Sequence, residues 1–239
     1  MPITHERGYL IPAVGEQYVE CAQRLRDSIL HFHPQANVTI ATVDMLPHSD
    51  LGGWNNDWQM FQVSPYRQTI KLEADMLCAS PFDHWWTMFE KRDVVVSCGA
   101  RDFYGNKAES RDYRKIFDIN NLPDVYNAIT YWRLSTTAKD FFQLVRDIFQ
   151  NWHEYKKLLK FPDDDASTDL VYAMAARIIG EEQVTLPAGL GPKIVHMKQH
   201  INYLQGSDWT KELVWEHNPL RINTVAQHGM FHYYIKDWQ

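Results

Sequence analysis

The chain has 239 residues, of which 45% are hydrophobic, 23% charged and 13% aromatic. These values belong to one folded domain with a large core and exclude an intrinsically disordered chain. The net charge of −6 gives the molecule no overall attraction to nucleic acid or to anionic lipid, although it leaves room for a local basic patch. No apolar run approaches the roughly 18 residues of a membrane helix, so no membrane partner is expected.

Residues 1–7 lack a basic segment followed by an apolar one, and the sequence therefore predicts no secretory signal. The three cysteines, Cys21, Cys78 and Cys98, are widely spaced and form neither a disulfide framework nor a zinc-binding pattern. Buried, reduced thiols in a cytoplasmic protein are the simplest expectation.

Strands and helices alternate along the chain, as their apolar periodicity indicates. In chain order the predicted elements are a strand at 9–14, a helix at 17–32, a strand at 38–43, a strand at 69–75, a short helix at 84–92, a strand at 94–97, a polar loop at 101–115, a helix at 138–159, a helix at 165–179 and a strand at 193–196. This alternation predicts an α/β fold, a mixed and mostly parallel sheet with helices on both faces.

Charged and polar side chains follow several of these strands. Asp44 ends one strand, Glu73 and Asp75 end the next, and His196 ends the last. In an extended chain, residues i and i+2 point the same way about 6.6 Å apart, so Glu73 and Asp75 can face one site. Two carboxylates and an imidazole suit a divalent cation with open positions, which neutralises a departing diphosphate. Lys198, two residues after His196, can reach the same phosphates as a point charge.

Simpler interpretations of the same residues stay open. An acidic pair at a strand end is often a solvated turn, Asp44 suits a turn or a cap, and His196 suits a structural hydrogen bond. His196 and His200 have the spacing of zinc ligands on a helix, but the sequence between them lacks the glutamate of a zinc hydrolase motif. Neither a phosphate-binding P-loop nor a Gly-x-Gly-x-x-Gly turn is present in the sequence.

Taken in order, these segments resemble the GT-A class of nucleotide-sugar glycosyltransferases, and most closely the glycogenin and galactosyltransferase-like family numbered eight. The resemblance rests on six short motifs spread over residues 5–205: Tyr9–Gly15, Thr42–Asp44, Ile70–Leu77, Tyr126–Thr130, Asp163–Leu170 and Lys193–His196. It implies a single Rossmann-like GT-A domain over residues 1–205, with a C-terminal extension over 206–239 packed on the same domain.

The resemblance also assigns a donor side to the site. Ala13 and Asp44 would hold the base and the ribose. Glu73, Asp75 and His196 would bind Mn²⁺ or Mg²⁺, Glu73 also lying close to the donor, and Lys198 would contact the diphosphate. The first motif position is Glu73 where the family has aspartate, and a basic residue that the family often carries upstream is missing from Asn55–Trp58. The family's histidine is commonly followed by glycine and then Lys-Pro-Trp, whereas His196 is followed by Met-Lys-Gln.

On the acceptor side the resemblance implies that Asn127 lines the sugar and that Asp165 and Asp169 are catalytic acids, with Asp169 the candidate base of an inverting reaction. For Asn127 a structural amide is an equal alternative, and an acidic helix start also complements the helix dipole.

The predicted function is metal-dependent transfer of a hexosyl or pentosyl group from a nucleoside-diphosphate sugar, preferably a UDP-sugar, to a hydroxyl acceptor. Hydroxymethylated cytosine in bacteriophage DNA is a specific acceptor hypothesis. The loop at 101–115 carries five basic and three acidic residues, a local net charge of +2. Sugar-nucleotide hydrolysis, and nucleotide binding without transfer, are the alternatives.

Overall fold

The computed structural model describes residues 2–48, 57–102, 104–105, 114–161, 165–187, 190–192, 194–197, 213–214, 221–222 and 225–233. Its strands are β1 (His5–Ala13), β2 (Val38–Thr42), β3 (Tyr66–Leu72), β4 (Met76–Cys78), β5 (Val94–Cys98), β6 (Val125–Arg133), β7 (Ile194–Met197), β8 (Leu213–Val214), β9 (Arg221–Ile222), β10 (Val225–Ala226) and β11 (Met230–Tyr233). Its helices are α1 (Glu16–Phe32), α2 (Met60–Val63), α3 (His84–Phe89), α4 (Lys115–Ile119), α5 (Thr136–Gln150), α6 (Trp152–Leu159), α7 (Thr168–Ile179) and α8 (Glu181–Val184).

The main sheet has five strands in the order β2-β1-β3-β6-β5. Strand β1 runs parallel to both β2 and β3, whereas β6 runs antiparallel to β3 and β5. The carboxyl ends of β1, β2 and β3 therefore meet at one edge, where ligands of open α/β sheets bind. The predicted α/β class and mixed sheet are confirmed.

Alternation along β3 builds a different core on each face of this sheet. Ile70 and Leu72 face one core, which the buried residues of α1 and α3 complete. The opposite core is formed with α5 and α7, whose buried faces pack together over the sheet. Thr69 and Lys71 alternate with the two apolar residues, so a buried lysine points to the α7 side.

A second sheet has the order β4-β11-β7, with β11 antiparallel to β4 and parallel to β7. Strand β11 lies within the predicted extension 206–239, and it is the central strand of this sheet. The boundary at residue 205 stays a prediction. Strands β8, β9 and β10 form a small antiparallel sheet.

The predicted helix over 138–159 is wrong in its continuity, because the structure has two helices, α5 and α6, that meet at Asn151. At this residue the backbone leaves the helical region, with φ −111° and ψ 25°. Its side-chain amide donates to the carbonyl of Asp147, as does its backbone N–H. A side chain that bonds to the preceding turn competes with continued helix formation. The predicted polar loop at 101–115 ends where α4 begins.

The longest described helix, α1, has 17 residues and one charged face. Within the described ranges, no helix combines the length and the apolar composition that crossing a membrane requires.

His33 joins the end of α1 to the start of α3. Its Nε2 accepts the backbone N–H of Phe82 at 3.2 Å, and its Nδ1 lies 3.0 Å from a carboxylate oxygen of Asp83. Because Nε2 accepts a hydrogen bond, the ring is neutral and Nδ1–H donates to Asp83. Burial lowers the pKa of His33 below its usual 6.5, and the charge of Asp83 opposes this shift in part.

We therefore expect His33 to make the fold less stable in acid. As the pH falls through about 6.5, the unfolded chain takes up the proton before the folded one, so the free energy of unfolding falls. One such group contributes a slope of at most about 1.4 kcal/mol per pH unit. Urea unfolding between pH 7.5 and 5 should show a steeper slope for wild type than for His33→Gln. Equal slopes would contradict this role.

Candidate metal centre

Glu73, Asp75 and His232 form a cluster at the carboxyl end of β3. The Nε2 atom of His232 lies 3.0 Å from Oδ1 of Asp75 and 3.3 Å from Oε2 of Glu73. One potential ligand atom from each residue lies within 4.8 Å of the other two. The side chain of His232 is 1% exposed, that of Asp75 12% and that of Glu73 26%, so the cluster opens on the Glu73 side.

This donor set fits a divalent cation. Two carboxylates supply hard oxygen ligands and one imidazole supplies nitrogen, which suits Mn²⁺ and similar ions. Three protein ligands on a partly open site leave positions for the oxygens of a bound phosphate.

Backbone pairing places the acidic turn between the two sheets. The N–H of Glu73 donates to the carbonyl of Ala128 on β6, and the carbonyl of Asp75 accepts the N–H of Tyr233 on β11. One end of the turn is thus fixed to the main sheet and the other to the second sheet. The backbone of the acidic turn cannot move away from β11 without breaking one of these hydrogen bonds.

The predicted acidic pair is therefore brought together with a histidine, but the histidine in the described cluster is His232. His196 pairs with His232 in the parallel register of β7 and β11, and its side chain lies outside the described residues, as does Lys198. His232 was missed by the sequence analysis. Met230–Tyr233 is a short apolar run ending near a histidine, the same signal that identified Lys193–His196.

Ala13 and Asp44 lie at the same sheet edge. Ala13 is the last residue of β1 and pairs with Thr42, the last residue of β2. Asp44 follows in a single turn of 3₁₀ helix and is exposed, and its carboxylate accepts the hydroxyl proton of Thr42. The role of Ala13 and Asp44 in holding a donor nucleoside stays a prediction.

Asn127 and Asp169 contact each other. The backbone N–H of Asn127 donates to one carboxylate oxygen of Asp169 at 2.7 Å, and Arg114 donates to the other at 2.9 Å. The side chain of Asn127 is fully buried and accepts the hydroxyl proton of Thr130. Asp165 is exposed just before α7. The hydrogen bond between Asn127 and Asp169 links β6 to α7, which is a structural role.

A buried ion pair lies beneath the cluster. Lys71 is 1% exposed, and its Nζ donates to Asp57 Oδ1 at 2.9 Å. The other oxygen of Asp57 accepts hydrogen bonds from the side-chain amide of Asn127 at 3.2 Å and from the hydroxyl of Tyr172. Burial, reinforced by the charge of Asp57, raises the pKa of Tyr172 well above its usual range, so Tyr172 stays a neutral donor. Through Asp57, this network joins β3, β6 and α7. Its lysine, Lys71, lies two residues before Glu73 in the chain.

Asp57→Asn should destabilise the fold strongly, because it leaves the buried ammonium of Lys71 without its counter-ion at nearly constant shape. Breaking one side of a buried pair costs about 3 kcal/mol or more. Urea unfolding measures the loss. The double variant Asp57→Asn with Lys71→Met should recover part of it, since no buried charge remains.

Glu154→Gln is the matched control, because Glu154 pairs with Lys157 at an exposed site. A surface change of this kind shifts stability by less than about 0.5 kcal/mol. An Asp57→Asn protein as stable as the control would refute the proposed importance of the network.

Solved structures of glycosyltransferases share this fold. Mouse xyloside xylosyltransferase 1 matches with a TM-score of 0.52 over 96% of this chain and 97% of its own, at 9% identity. An active-site mutant of LgtC matches with a TM-score of 0.52 over 95% and 86%, at 11% identity. The bifunctional glycosyltransferase WbbM matches with a TM-score of 0.53 over 95% of this chain and 45% of its own, at 11% identity.

No protein-family model matches the sequence, and no curated protein matches it either. At 9–11% identity, the structural similarity establishes the fold alone. The chain has the GT-A fold, as the resemblance implied.

Proposed function

We propose that this protein is a metal-dependent glycosyltransferase that moves a sugar from a nucleoside-diphosphate sugar to a hydroxyl acceptor. The cluster of Glu73, Asp75 and His232 carries the proposal, because it lies at the sheet edge where this fold class binds ligands. The structure of the galactosyltransferase LgtC in complex with donor and acceptor sugar analogues matches this chain with a TM-score of 0.50. That structure supports the substrate class, and a UDP-sugar is the preferred donor.

On the donor side, Ala13 and Asp44 hold the nucleoside at the ends of β1 and β2. Glu73, Asp75 and His232 hold Mn²⁺ or Mg²⁺. When bound, such an ion shields the negative charge that develops on the departing diphosphate. The partly exposed face at Glu73 is the side from which the diphosphate approaches.

On the acceptor side, the two predicted acids take different roles. Asp165 is exposed, and its carboxylate faces an acceptor hydroxyl. Asp169 accepts hydrogen bonds from the backbone N–H of Asn127 and from Arg114, and so orients Asn127 relative to the start of α7. The stereochemical course follows from the anomeric configuration of the product, which proton NMR measures directly.

A lysine after the liganding histidine completes the donor side. Lys198 follows His196 by two residues, and Lys236 follows His232 by four, with Trp238 two positions further on. Both lysines lie outside the described residues. Lys236 and Trp238 repeat the order of the lysine and tryptophan in the family-eight pattern, which favours His232 and Lys236 as the working pair.

Asp75→Ala and His232→Gln should each abolish Mn²⁺-dependent binding of UDP, since each removes one of three cation ligands. Calorimetry with and without Mn²⁺ measures the binding, and circular dichroism checks the fold. His228→Gln is the matched control, because His228 is exposed four residues earlier in the same segment. Equal UDP affinity in wild type and Asp75→Ala would overturn the metal-centre assignment.

The same calorimetric titration distinguishes the pair His232 and Lys236 from the pair His196 and Lys198. We expect Lys236→Ala to weaken UDP binding roughly tenfold in the presence of Mn²⁺, as loss of one charged phosphate contact does. Lys198→Ala and His196→Gln should leave it unchanged. The reverse result would assign the metal centre to His196 and the phosphate contact to Lys198.

The acceptor is tested by turnover. A transferase consumes UDP-sugar only when its acceptor hydroxyl is supplied, whereas a hydrolase releases free sugar without one and a binding protein does neither. Hydroxymethylated duplex DNA belongs in the acceptor panel with simple glycosides. Arg114, one basic residue of the predicted loop, is bonded to Asp169 and to the carbonyl of Val125 and is not presented to DNA. Absence of a mobility shift at low salt and of sugar transfer would remove the DNA acceptor.

A further inference from the structure

The histidine of the metal centre has a second hydrogen-bond partner that the proposed function does not use. The Nδ1 atom of His232 lies 2.6 Å from the hydroxyl oxygen of Tyr126. Both side chains are buried, His232 at 1% and Tyr126 at 7% exposure, and their ring centroids are 5.7 Å apart. Each ring nitrogen of His232 therefore has its own partner: Nδ1 contacts Tyr126, and Nε2 contacts the carboxylates of Glu73 and Asp75.

Tyr126 is itself held firmly. Its carbonyl accepts the hydroxyl proton of Ser97 on β5, and its ring lies under the guanidinium of Arg114 at 5.8 Å. Tyr126 belongs to β6 of the main sheet, and His232 belongs to β11 of the second sheet. Their hydrogen bond therefore crosses between the sheets and sets the rotation of the His232 ring relative to the acidic turn.

The Tyr126 hydroxyl can both donate and accept a hydrogen bond, which matters for its partner Nδ1. Ionised carboxylates only accept hydrogen bonds, so without a cation Nε2 of His232 carries a proton and donates it to them. To bind a cation, Nε2 must present its lone pair, and the ring proton must then reside on Nδ1 and donate to the same hydroxyl oxygen. A hydroxyl can accept a hydrogen bond from Nδ1–H or donate one to an unprotonated Nδ1, whereas a carboxylate or a carbonyl can only accept one.

We propose that Tyr126 is a positioning residue that orients His232 through its hydrogen bond to Nδ1, so that His232 can bind a cation through Nε2. This inference rests on the proposed function in one respect, since it requires that the cluster binds a divalent cation. It adds a residue from the main sheet to a site whose histidine comes from the second sheet.

Tyr126→Phe tests the proposal, because it removes one oxygen atom and leaves the ring. Loss of such a supporting hydrogen bond weakens metal binding about 10- to 100-fold, and we expect this rise in the Mn²⁺ dissociation constant by calorimetry. Tyr131→Phe is the matched control. Tyr131 is buried on the same strand and its hydroxyl donates to Gln68, away from the cluster.

A second measurement reads the tautomer directly. In ¹⁵N NMR of wild type, Nε2 of His232 should carry a proton without metal, and Nδ1 should carry the ring proton with saturating Mg²⁺. Tyr126→Phe should keep the Nε2 proton that the carboxylates hold but shift the Nδ1 resonance, because the hydrogen bond to the hydroxyl is lost, while Tyr131→Phe should match wild type.

The outcomes separate this inference from the proposed function. Wild type that binds Mn²⁺ while Tyr126→Phe binds it equally well overturns the role of Tyr126 alone. An equal loss in Tyr131→Phe overturns it too, because general packing would then be the cause. Wild type that binds no Mn²⁺ overturns both proposals.

Discussion

The contact between His232 and the carboxylates of Glu73 and Asp75 is the interaction on which the candidate site depends. It joins residues up to 159 positions apart and links the end of a main-sheet strand to the central strand of the second sheet. Each partner is fixed by backbone pairing before any ligand arrives, through the bond from Glu73 to β6 and the bond to Asp75 from β11. A site preorganised in this way pays little conformational entropy when a ligand binds.

Two basic side chains near the cluster are paired with carboxylates outside it. Lys71 lies two residues before Glu73, the spacing that places two side chains of an extended segment on the same face. Its ammonium is paired with Asp57, and Arg114 is paired with Asp169. The cation nearest in sequence to the acidic pair is thus engaged by a carboxylate that does not belong to the cluster.

Much of this arrangement could be predicted from local patterns, and the remainder depends on contacts between distant segments. Strand ends marked by Asp44, Glu73 and Asp75 were visible because a polar residue interrupts an apolar run. His232 also lies in a short apolar run, but it was not identified, because nothing near it in the sequence shows that β11 inserts between β4 and β7. The burial of Lys71 could not be predicted either, since its partner Asp57 returns to β3 from a turn-rich segment.

Glu73 stands where the family that the sequence resembles has an aspartate, and the structure shows how the cluster accommodates the longer side chain. Asp75 and His232 are nearly buried, and their positions are set by strand pairing, whereas Glu73 lies at the open side of the cluster. A glutamate has one methylene more than an aspartate, and with it the Glu73 carboxylate reaches within 3.3 Å of His232 Nε2. The longer side chain therefore still places an oxygen in the cluster, and its partial exposure leaves it free to adjust to a ligand. Two fixed donors and one adjustable donor fit the proposed function, in which the cation also takes phosphate oxygens from the same open side.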